Sequence, residues 1–98
     1  MYYVYIIECL DKSLYTGVTN NIERRLWEHN EGIGDDSYTK SRLPVKLIYH
    51  EEHKFVNDAI SREKQIKGWS KSKKLALSNG FIYKLKQLSK SHTSASSV

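Results

Sequence analysis

Tyr5, Tyr15, Arg25, His29 and Glu63 are the side chains of this 98-residue chain whose types and spacing could do chemistry together. Two phenols, an imidazole, a guanidinium and a carboxylate form a catalytic inventory without a nucleophilic serine or cysteine. A guanidinium clamps phosphate oxygens and a carboxylate accepts a hard divalent cation, so the set fits a phosphodiester site. Glu63 is the most telling member. It is the only acidic residue from Arg62 to the C-terminus, and on a helix taken from about Phe55 to Gly68 it falls on the apolar arc of Phe55, Val56, Ala59 and Ile66. An ionised carboxylate facing a core costs several kcal/mol unless it has a basic partner, for which Arg25 is available, or a bound cation.

The elements that must position these groups are legible in the pattern. Residues 2–8 and 13–19 are rich in Tyr, Ile, Val and Thr around a polar break at Asp11 and Lys12, which predicts a β-hairpin. Loop parity then decides the site. With an odd loop such as Leu10-Asp11-Lys12, Tyr5 faces Gly17 and Ile7 faces Tyr15, so both phenols leave the same face; a two-residue loop would separate them. The odd loop is the expectation.

A helix is expected after Asn20, with Asn20 and Glu23 as a capping box and an end near Gly32. Ile22 and Leu26 define its buried direction, and Arg25 and His29 lie on the shoulder while Arg24 points away. Residues 32–44 hold two glycines, two aspartates and a proline and read as a loop. Residues 45–51 alternate as a third strand. After the Glu63 helix, Gly68 marks a break, Ser70 can cap a helix that stops at Asn79-Gly80, and residues 81–88 have the spacing of a short docking helix. Beyond Ser89 the sequence lacks apolar residues to bury, so 89–98 is expected to be a disordered tail on a domain of residues 1–88. The fold class is therefore α+β, a small three-stranded antiparallel sheet flanked by helices in one domain.

Charge is distributed unevenly. Residues 1–61 hold seven Lys/Arg against ten Asp/Glu, and residues 62–98 hold nine against one, so a net −3 precedes a net +8. Clustered positive charge attracts polyanions, although an ordinary solubilising surface has the same composition. The single cysteine, Cys9, rules out an internal disulfide and a cysteine zinc site. The apolar start, Tyr2 to Ile7, is too short to span a bilayer and lacks signal-peptide flanks, which points to a cytoplasmic protein with no membrane partner.

Each candidate also has an ordinary reading: strand tyrosines usually pack, a histidine at a helix edge is usually structural, and an arginine beside a carboxylate is usually an ion pair. The combination favours chemistry. The segments YVY and YTG within YVYIIECLDKSLYTG, followed by VTNNIERRLWEHN and later AISREKQIKGWSKSKK, resemble the GIY-YIG nuclease superfamily over about residues 1–78, most closely its small standalone bacterial members. Tyr3 stands in place of the first Gly of the signature and Thr16 in place of the second Ile, and neither exchange removes a functional group. The family's terminal asparagine has no firm counterpart, and Asn79 is left out of the site.

The resemblance implies an endonuclease domain in which Tyr5 and Tyr15 are the tyrosine pair, Arg25 the catalytic arginine, His29 the helix histidine and Glu63 the single metal ligand. The implied cofactor is Mg²⁺ or Mn²⁺, and the implied partner is nucleic acid, with DNA the expected substrate and no obligate protein partner evident. Tyr38, Arg42, Lys67, Lys71, Lys73 and Lys74 are the expected nucleic-acid contacts. Tyr5 would activate or orient the attacking water. A free phenol has a pKa of about 10, so either a nearby cation or arginine lowers that value or His29 takes the proton. Two rivals stand beside this reading: a binding module with little or no turnover, and a scaffold in which Glu63 and Arg25 form a purely structural pair.

Overall fold

The structure is a computed structural model that describes residues 1–33 and 37–89. Its elements run β1 (Tyr2–Glu8), β2 (Leu14–Thr19), α1 (Ile22–Asn30), α2 (Ser37–Lys40), β3 (Lys46–His53), α3 (Val56–Lys67) and α4 (Lys71–Ser89). The three strands form one antiparallel sheet in the order β2-β1-β3. Val4, Tyr5, Ile6 and Ile7 are all buried, so β1 carries apolar side chains on both faces and takes the central place, where each face is covered.

The faces have separate cores. On one, Val4, Ile6 and Tyr49 pack against Ala59 and Ile66 of α3, with Trp69 and Leu77 at the margin. On the other, Tyr5, Ile7, Cys9 and Val45 pack with Tyr15, Leu26 of α1, Leu43 and Leu47. A bulge between Ile6 and Ile7 in the β1–β3 pairing shifts the register, so Tyr49 is the partner of Ile6 while Leu47 is the partner of Ile7.

Several local expectations are corrected. Asn21 rather than Asn20 caps α1, its side chain accepting from the Arg24 amide at 3.0 Å, while Asn20 accepts from the Arg24 guanidinium at 2.8 Å. Residues 32–44 are not all loop, because 37–40 form a single helical turn. Ser70 does cap the last helix, accepting from the Lys73 amide at 3.2 Å, yet the backbone continues helically through Asn79 and Gly80 to Ser89 as one element. Gly80 does not take the left-handed conformation with which glycine commonly ends a helix, and Gly32 is the glycine with positive φ among those described. The docking expected of 81–88 rests on side chains that the structure does not describe, and the tail from Lys90 onward lies outside the described residues. On α3 the buried direction is set by Ala59 and Ile66, whereas Phe55 and Val56 are exposed. Phe55 has extended backbone (φ −116°, ψ 138°), so helical phasing does not reach it. Val56 lies on the flank, about 60° around the helix from Ala59.

Candidate active site

The hairpin fixes the two phenols. The Cys9 amide donates to the Ser13 carbonyl at 2.9 Å and Lys12 takes φ 72°, so Leu10, Asp11 and Lys12 form the three-residue loop with its left-handed last position. Tyr5 is then the register partner of Gly17 and Ile7 that of Tyr15, which puts Tyr5 and Tyr15 on one face with ring centroids 6.4 Å apart. Gly17 is required here by contact. A Cβ at this position would lie 2.5 Å from Tyr5 Oη and 2.6 Å from Cζ, so any larger residue must displace the phenol.

Helix α1 delivers the next two groups. Thr19 and Asn21 close the β2–α1 turn, and at the other end Asn30 accepts from the Val45 amide at 2.8 Å, tying the helix to the start of β3. Leu26 faces the sheet core, and Arg25 and His29 flank it. His29 is 1% exposed, and its Nε2 lies 3.0 Å from Tyr5 Oη. The imidazole also sits edge-on to Tyr15, at 5.3 Å between centroids. Arg25 stands near enough to Tyr5 for its charge to act on the phenol, and it pairs with Glu28 at 3.1 Å. Its pKa is raised: burial acts against the charge, and the bonds to Tyr5 and Glu28 outweigh it.

Thr39 is a member that sequence reasoning missed. Its Oγ1 lies 3.1 Å from His29 Nδ1, and the residue is 1% exposed. A four-residue helix such as α2 is too short for periodicity to mark an inward position.

Burial governs the titration of the cluster. Desolvation raises the Tyr5 pKa, and Arg25 opposes the rise without cancelling it. An arginine alone therefore does not bring this phenol below its ordinary value. Tyr15 is raised as well, by burial and then by Tyr5, with Arg25 again opposing. Burial and then the Arg25 charge bring His29 down to about 4, so the imidazole is neutral at pH 7.

Glu63 comes from α3, on the other face of the sheet, yet its charge reaches both phenols and raises their pKa values. Its side chain is 14% exposed and pairs with Lys67 at 2.9 Å. Among the described residues there is no group of three or more His, Cys, Asp or Glu side chains that could hold a metal ion. A dedicated protein cage is therefore not the fit. One inward carboxylate suits instead a Mg²⁺-like cation that keeps most of its waters and shares its remaining positions with substrate phosphate.

The outer candidates fall into two places. Tyr38 extends the aromatic row, its ring 6.0 Å from Tyr15, and Arg42 lies over that ring at 4.2 Å while donating to Asp11 at 3.0 Å. Lys67 is at the Glu63 carboxylate. Lys71, Lys73 and Lys74 occupy the first turn of α4, where Lys73 Nζ stands 4.3 Å over the Trp69 ring.

An inward tyrosine pair, an arginine and a histidine thus lie beside one carboxylate helix on a three-stranded sheet, and comparison with known proteins supplies the class. The model of the GIY-YIG catalytic domain matches residues 1–76, and the chain belongs to that nuclease family. Within it, the chain is 55% identical over 75 residues to a UPF0213 protein of Syntrophus aciditrophicus, covering 76% of this chain and 86% of the relative. A UPF0213 protein of Haloquadratum walsbyi is 49% identical over 76 residues, covering 78% and 84%. The solution NMR structure of a UPF0213 protein from Bacillus halodurans superposes with a TM-score of 0.50 at 38% identity, covering 79% of this chain and 82% of that one. Nucleases of this family are typically metal-dependent, and the UPF0213 name itself specifies no activity.

Proposed function

We propose that this protein is an endonuclease that hydrolyses phosphodiester bonds in nucleic acid, with DNA as the expected polymer and one Mg²⁺ or Mn²⁺ as cofactor. The observation that carries the reading is the Tyr5–His29 hydrogen bond beside Arg25. A buried phenol bonded to a neutral imidazole beside a guanidinium is an arrangement for moving a proton next to a phosphate.

Arg25 would bind the scissile phosphate as charge grows on its oxygens, exchanging part of its contact with Glu28 for the substrate. Tyr5 would orient the attacking water. Its oxygen can take a proton from that water while its own proton passes to His29 Nε2, so one proton enters the phenol and one leaves, and no free tyrosinate accumulates. Tyr15, packed on the same imidazole, would hold the water and ring in place. Glu63 would hold the divalent cation, which when bound supplies Lewis-acid stabilisation of the leaving oxygen. Tyr38, Arg42 and the lysines of α4 would track the flanking strand.

A cleavage panel of branched, nicked, duplex and single-stranded DNA and RNA, with and without Mg²⁺ or Mn²⁺, tests the reading. Cleavage that requires metal and drops by about 10²–10³-fold in Glu63→Ala and in Arg25→Ala is expected. Salt-sensitive binding without cleavage of any substrate would favour the binding module instead. Undiminished metal-dependent cleavage by folded Glu63→Ala would remove the metal assignment.

A further inference from the structure

We infer that Thr39 is a positioning residue that fixes His29 in its Nδ1–H tautomer, holding Nε2 as the acceptor for the Tyr5 proton. The inference deepens the nuclease reading and, in its catalytic consequence, rests on it; the tautomer itself does not.

The argument is a count of donors. Arg25 stands beside Tyr5 as a guanidinium that can only donate, so the phenol faces it with its oxygen lone pairs and not with its proton. The phenol has one proton of its own to place, and His29 Nε2 is 3.0 Å away. If Nε2 carried the ring proton instead, the phenol oxygen would accept from it, and the phenol's own proton, in a residue 2% exposed, would be left without that acceptor. Nε2 is therefore the bare nitrogen. A neutral imidazole has one N–H, so the proton sits on Nδ1, and Thr39 Oγ1 lies 3.1 Å from that nitrogen. His29 and Thr39 are both 1% exposed, so bulk water does not offer a substitute acceptor for that N–H.

Sequence places this partner ten residues beyond His29, in a one-turn helix that the chain holds firmly. The Arg42 amide caps the Thr39 carbonyl at 2.9 Å, the Arg42 guanidinium donates to the Tyr38 carbonyl at 2.6 Å and to Asp11 at 3.0 Å, and the Leu10 amide donates to the Arg42 carbonyl at 2.9 Å. The tip of the β-hairpin thus holds the turn that presents Thr39. A hydroxyl that orients a histidine from its far nitrogen occupies the place that a carboxylate fills in other acid–base sites, without adding a negative charge that would compete with the phosphate for Arg25.

Two-bond ¹H–¹⁵N correlations of the histidine rings in the wild-type protein, near pH 7 without metal or substrate, read the tautomer directly. The Nδ1–H form is expected for His29; an Nε2–H form overturns the inference whatever the variants do. Thr39→Val removes the acceptor at nearly constant volume and is expected to move the ring toward the Nε2–H form, while Thr39→Ser keeps the Nδ1–H form. In the metal-dependent cleavage assay Thr39→Val should lower kcat by about tenfold or more with KM little changed, and Thr39→Ser should restore most of it. A folded Thr39→Val protein that keeps both the wild-type tautomer and the wild-type kcat also overturns it. If the wild-type protein cleaves nothing while the ring switches as expected, the positioning stands and the nuclease reading fails.

Discussion

Tyrosine, histidine, arginine and glutamate meet twice in this molecule, once on each face of the sheet, and the two clusters are arranged in opposite ways. Around Glu51 the carboxylate is the hub: it accepts from the Tyr49 hydroxyl and pairs with His53 and with Arg62, whose Nε donates at 3.0 and 3.2 Å. Burial acts to raise the Glu51 pKa, and those bonds outweigh it and bring the carboxyl below its ordinary value. Burial and then the bond to Glu51 push Tyr49 up to about 12. Around Tyr5 the hub is a phenol facing a neutral imidazole, and the carboxylates stand at the periphery, Glu28 on Arg25 and Glu63 on Lys67. The first cluster consumes its charges in fastening β3 to α3. The second keeps an uncharged phenol and imidazole beside a guanidinium, which is what the proposed reaction at phosphate would need. Residue types alone do not separate a clamp from a site; the position of the carboxylate does.

The largest effects that would break this contrast are kinetic. Arg25→Ala should cost about 10²–10³-fold in metal-dependent cleavage with melting temperature nearly retained, and Glu63→Ala likewise. The same assays on a Glu51 variant should show the reverse pattern, so parallel behaviour of the two clusters would erase the distinction.

Next comes a pH effect on stability. His29 has a folded-state pKa of about 4 against an ordinary 6.5, so the unfolded chain binds more protons throughout that interval. The stabilisation is fully present above pH 6.5, declines as pH falls, and is lost as pH passes below about 4. The gap between 6.5 and about 4 corresponds to roughly 3 kcal/mol. Urea unfolding at about pH 7.5 and about pH 4.5 should show this loss in the wild type and a smaller one in His29→Gln. Equal losses in the two proteins would place the titrating group elsewhere.

A smaller loss is expected at the clamp. Glu51→Gln keeps the shape but removes the charge that Arg62 faces, and should cost about 1–3 kcal/mol in chemical denaturation while the cleavage rate is unchanged. A slower enzyme of wild-type stability would instead assign Glu51 to the chemistry.

The same contrast explains what the sequence could say. Hairpin parity is readable because strand period two and an odd loop leave one arrangement for Tyr5 and Tyr15, and register pairs Tyr5 with Gly17 as that arithmetic requires. Arg25 and His29 are readable from helical spacing around Leu26. The cap falls one residue from Asn20 because two adjacent asparagines offer the same side chain, and only backbone angles choose Asn21. Asn79-Gly80 misleads because glycine within a helix costs only about 1 kcal/mol, which the continuing helix tolerates. Strand period alone sets Tyr49, Glu51 and His53 on one face of β3, but Thr39 and the Arg62 side of the Glu51 cluster are invisible for another reason. His29 lies 10 residues from Thr39 and Arg62 lies 11 from Glu51, each on another element, and no period links a side chain to a neighbour brought by tertiary packing. Glu63 is legible as an inward acid, but its ion pair falls to Lys67, one turn along the same helix.

The smallest expected effect tests the basic margin that joins the two regions. Trp69 packs at the edge of the clamp-side core, with Arg62 5.3 Å and Lys73 4.3 Å from its ring, so the lysine is partly ordered before any polymer arrives. Lys71 on the same turn is exposed. Replacing both with glutamine should weaken binding to duplex DNA only several-fold at moderate salt. The slope of log affinity against log salt should become shallower by about one for each lysine that touches a phosphate, while kcat at saturating substrate stays unchanged. An unchanged slope would mean that the polymer enters along the Tyr38–Arg42 side alone, and the basic helix would then be a solvated surface.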